Sequence, residues 1–175
     1  MLSFYLAALD TDEDKSEFEK LYTEHRQTMY KVAFAVLNNP EDSEDAVHKA
    51  FVKIADNFSK IKKIPCQEIT PYLVIIVRNA AIDIYNKNKQ KAEHTAEFYD
   101  ESTAVDVDYF ENIDYDELVK TISQLPQIYK DVLFLRYVND FSVKEISKML
   151  DISVDTVWKR LERARKMLKE LLERR

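Results

Sequence analysis

The chain has 175 residues, enough for one ordinary domain or two small ones, and its 46% hydrophobic and 11% aromatic content supports real cores despite 33% charged residues. It contains no glycine, which excludes a Rossmann fingerprint or a P-loop and argues against hairpins, so an all-α fold is expected. A single cysteine, Cys66, and three scattered histidines exclude an internal disulfide and give no zinc-ligand spacing, while a net charge of −6 weighs against nucleic-acid binding only until it is divided along the chain.

Residues 1–19 carry −5, residues 20–92 carry +4, residues 93–117 carry −10 without one Lys or Arg, and residues 118–175 carry +5. The start, Met1 to Leu9, looks apolar but is followed at once by Asp10, Asp12, Glu13 and Asp14, and it lacks the basic n-region and cleavage pattern of a signal peptide. No stretch approaches the roughly 18 apolar residues of a membrane span. No membrane insertion and a cytoplasmic location are therefore expected.

Phe18, Leu21, Tyr22, His25, Met29, Val32, Ala33, Val36 and Leu37 recur at helical spacing and predict a helix of about 20 residues. Asn39-Pro40-Glu41-Asp42 restarts the chain as an Asn cap, Pro at N1 and acids in the first turn. The helix that follows buries Ala46, Val47, Ala50, Phe51, Ile54 and Phe58, and its outer face, with Asp42, Glu44, Asp45, His48, Lys49 and Lys53, suits solvent or a protein partner. A loop is expected between Ile61 and Thr70. Pro71 then opens a helix from Tyr72 to about Asn88, whose Leu73-Val74-Ile75-Ile76-Val77 run marks the centre of a bundle and whose C-terminal half turns polar and basic.

Glu93 through Glu117 reads as a solvated linker because ten carboxylates repel one another. Its Phe98, Tyr99, Tyr109, Phe110 and Tyr115 leave open local docking or short packed helical turns. Helices are expected near 113–123, 127–138, 142–150 and 153–173. Ser142 with Glu145 has the spacing of a capping box, with Phe141 and Ile146 as a hydrophobic staple, and Ile152 and Val157 repeat the staple around a Ser153 cap. Two capped helices separated by so short a connection describe a helix-turn-helix. On the second, Val154, Val157, Trp158, Leu161, Ala164, Leu168, Leu171 and Leu172 share one apolar arc, with Trp158 expected to pack at its edge, and Thr156, Lys159, Arg163 and Lys166 lie nearly opposite. A helix buried on one side and basic on the other fits the major groove.

The order of these pieces resembles a family. Leu21-Tyr22 through Met29-Tyr30, then Pro40 through Ile54, then Tyr72-Leu73 with Val77-Arg78-Asn79-Ala80-Ala81-Ile82-Asp83, resembles region 2 of extracytoplasmic-function sigma factors. Leu125-Pro126, Val132 to Tyr137, Phe141 to Ser147 and Ile152 to Lys166 resemble their region 4. The chain departs from the usual family pattern at His48-Lys49, Tyr72, Asp151 and Trp158.

The resemblance implies two small helical domains, a region 2 bundle over 1–92 and a region 4 helix-turn-helix domain over 113–175, joined by an acidic linker at 93–112. It implies core RNA polymerase and promoter DNA as partners, with an anti-sigma factor as a possible further one, and no cofactor, metal or catalytic residue. Asp42, Asp45, His48, Lys49 and Lys53 fall in the family's polymerase-binding helix. Arg78, Asn79, Asp83, Asn86 and Lys87 fall in the part facing the minus-10 element. Ser153, Asp155, Thr156, Lys159, Arg160, Arg163 and Lys166 fall in the helix that reads the minus-35 element. A stand-alone helix-turn-helix regulator and a non-initiating sigma-like adaptor stay open as alternatives. With the basic units diluted by the acidic N-terminus and linker, binding to free DNA is expected to be weak and salt-dependent.

Overall fold

The computed structural model describes residues 1–92 and 118–173, and every regular element among them is helical. The acidic linker at 93–112, its aromatic residues, and the start of the helix expected near 113–123 lie outside the described residues.

The N-terminal unit begins with a short helix, α1 (Leu2–Leu6), formed by the apolar start of the chain. Tyr5 and Leu9 are buried, so this segment belongs to the core. Helix α2 (Asp12–Leu37) is longer than its apolar spacing predicts, because Thr11 caps it by accepting from the Asp14 amide at 3.0 Å and Asp12, Glu13 and Asp14 complement the dipole of its first turn. In α3 (Pro40–Asp56) the Asn39 side chain accepts from the Asp42 amide at 3.0 Å, with Pro40 in the first helical position as the sequence predicts. Its Ala46, Val47, Ala50, Phe51 and Ile54 are all buried.

After the turn-length α4 (Phe58–Ile61) comes α5 (Cys66–Ala92), which corrects the expectation that Pro71 starts this helix. Proline in the second turn removes one donor, the one that would meet the Gln67 carbonyl, and Gln67 is exposed enough for water to serve that oxygen. The helix therefore extends past the proline toward its N-terminus. Helices α2, α3 and α5 pack against one another, and α5 is buried on all sides from Tyr72 to Arg78. Ion pairs tie the periphery: the Arg26 Nη2 donates to both Glu44 carboxylate oxygens, at 2.8 and 2.7 Å, and Lys62 meets Asp14 at 2.6 Å, where the ammonium holds the Asp14 carboxyl below its ordinary range.

The C-terminal unit contains α6 (Leu118–Ser123), α7 (Gln127–Leu133), α8 (Val143–Leu150) and α9 (Val154–Glu173). The helix expected over 127–138 is present in two parts, since α7 widens into a π-helical turn over Phe134–Val138. The Asn139 amide reaches the Phe134 carbonyl at 3.1 Å, and Arg136 Nη1 donates to the Phe141 carbonyl at 3.0 Å, so the chain swings directly into α8. Helices α6, α7 and α8 all pack on α9. Phe134, Phe141, Ile146, Val157 and Leu161 fill the space between them.

Among the described residues three take positive φ, Asn38 at 47°, Asp140 at 55° and Asp151 at 56°. Asn and Asp are the residues other than glycine that best tolerate this conformation. Asn38 and Asp151 terminate α2 and α8, a task that usually falls to glycine.

The capping box at Ser142 is complete: the Glu145 amide donates to Ser142 Oγ at 3.3 Å, and Glu145 Oε2 accepts from the Ser142 amide at 2.7 Å. Ser142→Ala leaves an amide of the first turn without its acceptor, and a loss of about 1 kcal/mol is expected in urea unfolding of the full chain. A loss below a few tenths would mean that tertiary packing alone holds the start of α8.

Candidate nucleic-acid interface and protein-binding face

The connection between α8 and α9 is closed by one serine. Ser147 Oγ donates to the Ile152 carbonyl at 2.6 Å and the Ser147 carbonyl accepts from the Ile152 amide at 3.1 Å, while Asp151 takes the left-handed turn position. Ser153 then starts α9 by accepting from the Thr156 amide at 3.1 Å, and its hydroxyl lies 2.8 Å from Thr156 Oγ1. Val157, Leu161 and Ala164 are buried against the rest of the unit, which turns the opposite side of α9 outward. Asp155, Lys159, Arg163 and Lys166 are exposed there, whereas Thr156 and Arg160 are half-buried at the margin.

Trp158 corrects the expectation that it packs: it is 51% exposed, and Val154 one turn earlier is 38% exposed. At 100° per residue the buried arc of α9 runs from Ala164 through Val157 to Leu161, and Val154 and Trp158 fall beyond its Leu161 edge. Hydrophobic content on α9 therefore spans a wider arc than the one its neighbours cover. An indole on the outer side of a basic helix adds apolar contact surface that charge alone does not supply.

In α5, Asn79, Asp83, Asn86 and Lys87 recur at spacings of four and three and share one side, with Lys87 exposed and the others half-buried. Asn79 Nδ2 donates to the Ile75 carbonyl at 2.8 Å. Arg78 is not part of that outward set. It is 1% exposed, because the fully encased stretch of α5 extends one residue further than the apolar run that revealed it.

The α3 face separates its five candidates. Asp45 and Lys49 are exposed and pair at 2.6 Å. Asp42 lies toward α5, accepting from Asn88 Nδ2 at 2.9 Å, and Lys53 is half-buried. His48 has the most specific environment: its Nδ1 is 2.7 Å from the Tyr5 hydroxyl, and its ring is 5.5 Å from the Tyr5 ring and 5.8 Å from that of Phe4. Tyr5 was invisible to sequence reasoning because its partner is 43 residues away; the nearest signal was an apolar N-terminus with no targeting pattern.

Burial pushes the Tyr5 phenol up to about 12. A folded value raised above the ordinary 10 means stability that is fully present below pH 10 and lost as pH rises toward 12. Thermal unfolding of the wild type is expected to fall more steeply over that window than that of Tyr5→Phe, which has no phenol to ionise; parallel curves would show that this group does not govern the alkaline limb.

Among the described residues no group of three or more His, Cys, Asp or Glu is placed to hold a metal ion, and no helix is long and apolar enough to cross a membrane. Residues 21–91 match the sigma-70 region 2 family model and residues 115–168 the sigma-70 region 4 model. The RNA polymerase sigma factor SigV of Bacillus subtilis (strain 168) is 27% identical over 150 residues, covering 84% of this chain and 86% of that protein. The ECF RNA polymerase sigma factor SigW of the same organism is 28% identical over 174 residues, covering 91% and 90%. Among solved structures, a co-crystal structure of the sigma factor RpoE with the anti-sigma factor NepR from Bartonella quintana aligns over 90% of this chain and 97% of that one, at 19% identity and a TM-score of 0.39.

Proposed function

The chain belongs to the sigma-70 family, as an RNA polymerase sigma factor of extracytoplasmic-function type, and from that premise we propose how its two units share the work. The family-level activity is to bind core RNA polymerase and direct promoter recognition. On this reading residues 1–92 form the region 2 domain, 93–112 the linker and 113–175 the region 4 domain. The outer face of α3, with Asp42, Asp45, His48, Lys49 and Lys53, binds the polymerase. Asn79, Asp83, Asn86 and Lys87 face the melted minus-10 element, and α9 enters the major groove at the minus-35 element.

The observation that carries the reading is the α8–α9 pair. A capped helix, a turn held by Ser147 and Asp151, and a second helix with its basic side outward form the unit that sits in a major groove. Lys159, Arg163 and Lys166 supply phosphate and guanine contacts, Ser153 and Thr156 lie at the start of the helix where base edges are closest, and Trp158 with Val154 offers apolar surface to thymine methyls. Asp155 and Arg160 complete the set. The protein works in the cytoplasm, and an anti-sigma factor masks one of its faces when the regulon is off.

The chemistry of RNA synthesis belongs to the polymerase. Each unit presents few cations, so binding to free promoter DNA is weak, and core polymerase converts two weak contacts into one effectively intramolecular engagement. The test is transcription from a promoter library by core RNA polymerase with and without this protein. New starts sharing upstream motifs support initiation. Core binding without specific starts points to an adaptor, and a sequence-specific footprint without polymerase points to a stand-alone regulator.

A further inference from the structure

The N-terminal segment before the region 2 match carries a feature that promoter recognition does not use. Helix α1 is seated by Tyr5, which is 1% exposed and whose ring lies within 6 Å of those of Phe18, Tyr22 and Phe51. The same side chain bonds His48 on the outer face of α3. The Tyr5 hydroxyl and His48 Nδ1 share a hydrogen bond of 2.7 Å, with the tautomer of the ring setting which of the two donates, and this contact fixes the orientation of the imidazole on the α3 face.

Beside that ring the segment exposes Phe4 at 63%, and where α1 begins Met1 is 64% exposed, both unusually open for large apolar side chains. Phe4 is in edge contact with Tyr5 at 6.0 Å, so a firmly seated residue holds an open one in place. The exposed Asp45–Lys49 pair lies on the same α3 face as His48. An apolar anchor bordered by charged and polar groups fits the pattern of an interface centre and its rim.

We propose that α1 is part of the polymerase-binding surface, with Phe4 and Met1 as its apolar anchor and Tyr5 as the positioning residue that sets the His48 ring. The occupant is core RNA polymerase, because the patch is continuous through the Phe4–His48 contact with the α3 face. The inference rests on the assignment of α3 to polymerase binding, and the test separates the two.

Binding of the labelled full-length chain to core RNA polymerase is measured for wild type, Phe4→Ala, Tyr5→Phe, and the charge swap Asp45→Lys with Lys49→Glu. Phe4→Ala is expected to weaken binding about tenfold with an unchanged melting curve, since truncating an anchor residue costs that much and Phe4 is exposed in the free chain. Tyr5→Phe keeps the buried ring and is expected to weaken binding roughly threefold while the ¹⁵N shifts of the His48 ring move as its Nδ1 loses the hydroxyl partner. If Phe4→Ala binds as wild type while the charge swap weakens binding, α1 lies outside the interface and the α3 assignment stands. If neither variant weakens binding, both fail. If Phe4→Ala instead dissociates a dimer in sedimentation and leaves core binding intact, the patch belongs to a second copy and the proposal is overturned.

Discussion

Reversing Lys159 and Arg163 to glutamate together is expected to lower promoter-directed initiation by roughly 10²–10⁴-fold, because each lost contact to base or phosphate is worth about 1–3 kcal/mol and the new carboxylates are repelled by the backbone. Both side chains are exposed on the side of α9 opposite Val157 and Ala164, so the C-terminal unit loses no core packing. Its unfolding is expected to move by no more than about 0.5 kcal/mol per site. The salt dependence of promoter binding by the holoenzyme also becomes shallower, by about one unit of log–log slope for each phosphate contact removed. Initiation that survives unchanged on promoters with an intact minus-35 element would remove α9 from the recognition surface.

The second large effect lies in the N-terminal core. Phe51 is fully buried, and its ring sits 5.7 Å from Tyr5, 6.0 Å from Phe18 and 4.7 Å from Tyr22. Phe51→Ala leaves a phenyl-sized cavity among rings drawn from α1, α2 and α3, and a loss of about 3–5 kcal/mol is expected. Against a total of about 5–15 kcal/mol for a small domain, that loss moves the unit close to its unfolding transition at 37 °C. Chemical unfolding followed by circular dichroism measures it. A loss under about 1 kcal/mol would show that the cluster relaxes around the gap and that α1 is held by other contacts.

Features set by a few consecutive residues were legible before any coordinates. The Ser142–Glu145 box, the Asn39–Pro40 start and the Ser153 cap are local hydrogen-bonding arrangements, and each is found where its spacing placed it. The bundle helices followed from apolar period, and the likeness to the two sigma regions followed from their order. What escaped was decided by packing at a distance. Arg78 is buried because α5 is encased one residue beyond its apolar run, and Trp158 is exposed because the contacts of α9 cover a narrower arc than its hydrophobic content suggests. Pro71 inside α5 shows a positional preference yielding where the orphaned carbonyl lies at the surface. The Tyr5–His48 contact spans two helices and leaves no mark in either segment.

The three left-handed residues Asn38, Asp140 and Asp151 have a bearing on the denatured chain as well as on the turns they make. Each carries native strain on the order of 1 kcal/mol that glycine would not. Glycine, however, enlarges the unfolded ensemble, and replacing it at a compatible position is worth about 0.4–1 kcal/mol. An ordinary chain of this length has about a dozen glycines, and this one has none. The unfolded chain therefore begins with fewer conformations to surrender, a difference of the same order as the entire stability of a small domain. Slight strain at three turns is the native-state counterpart of that stiffer starting ensemble.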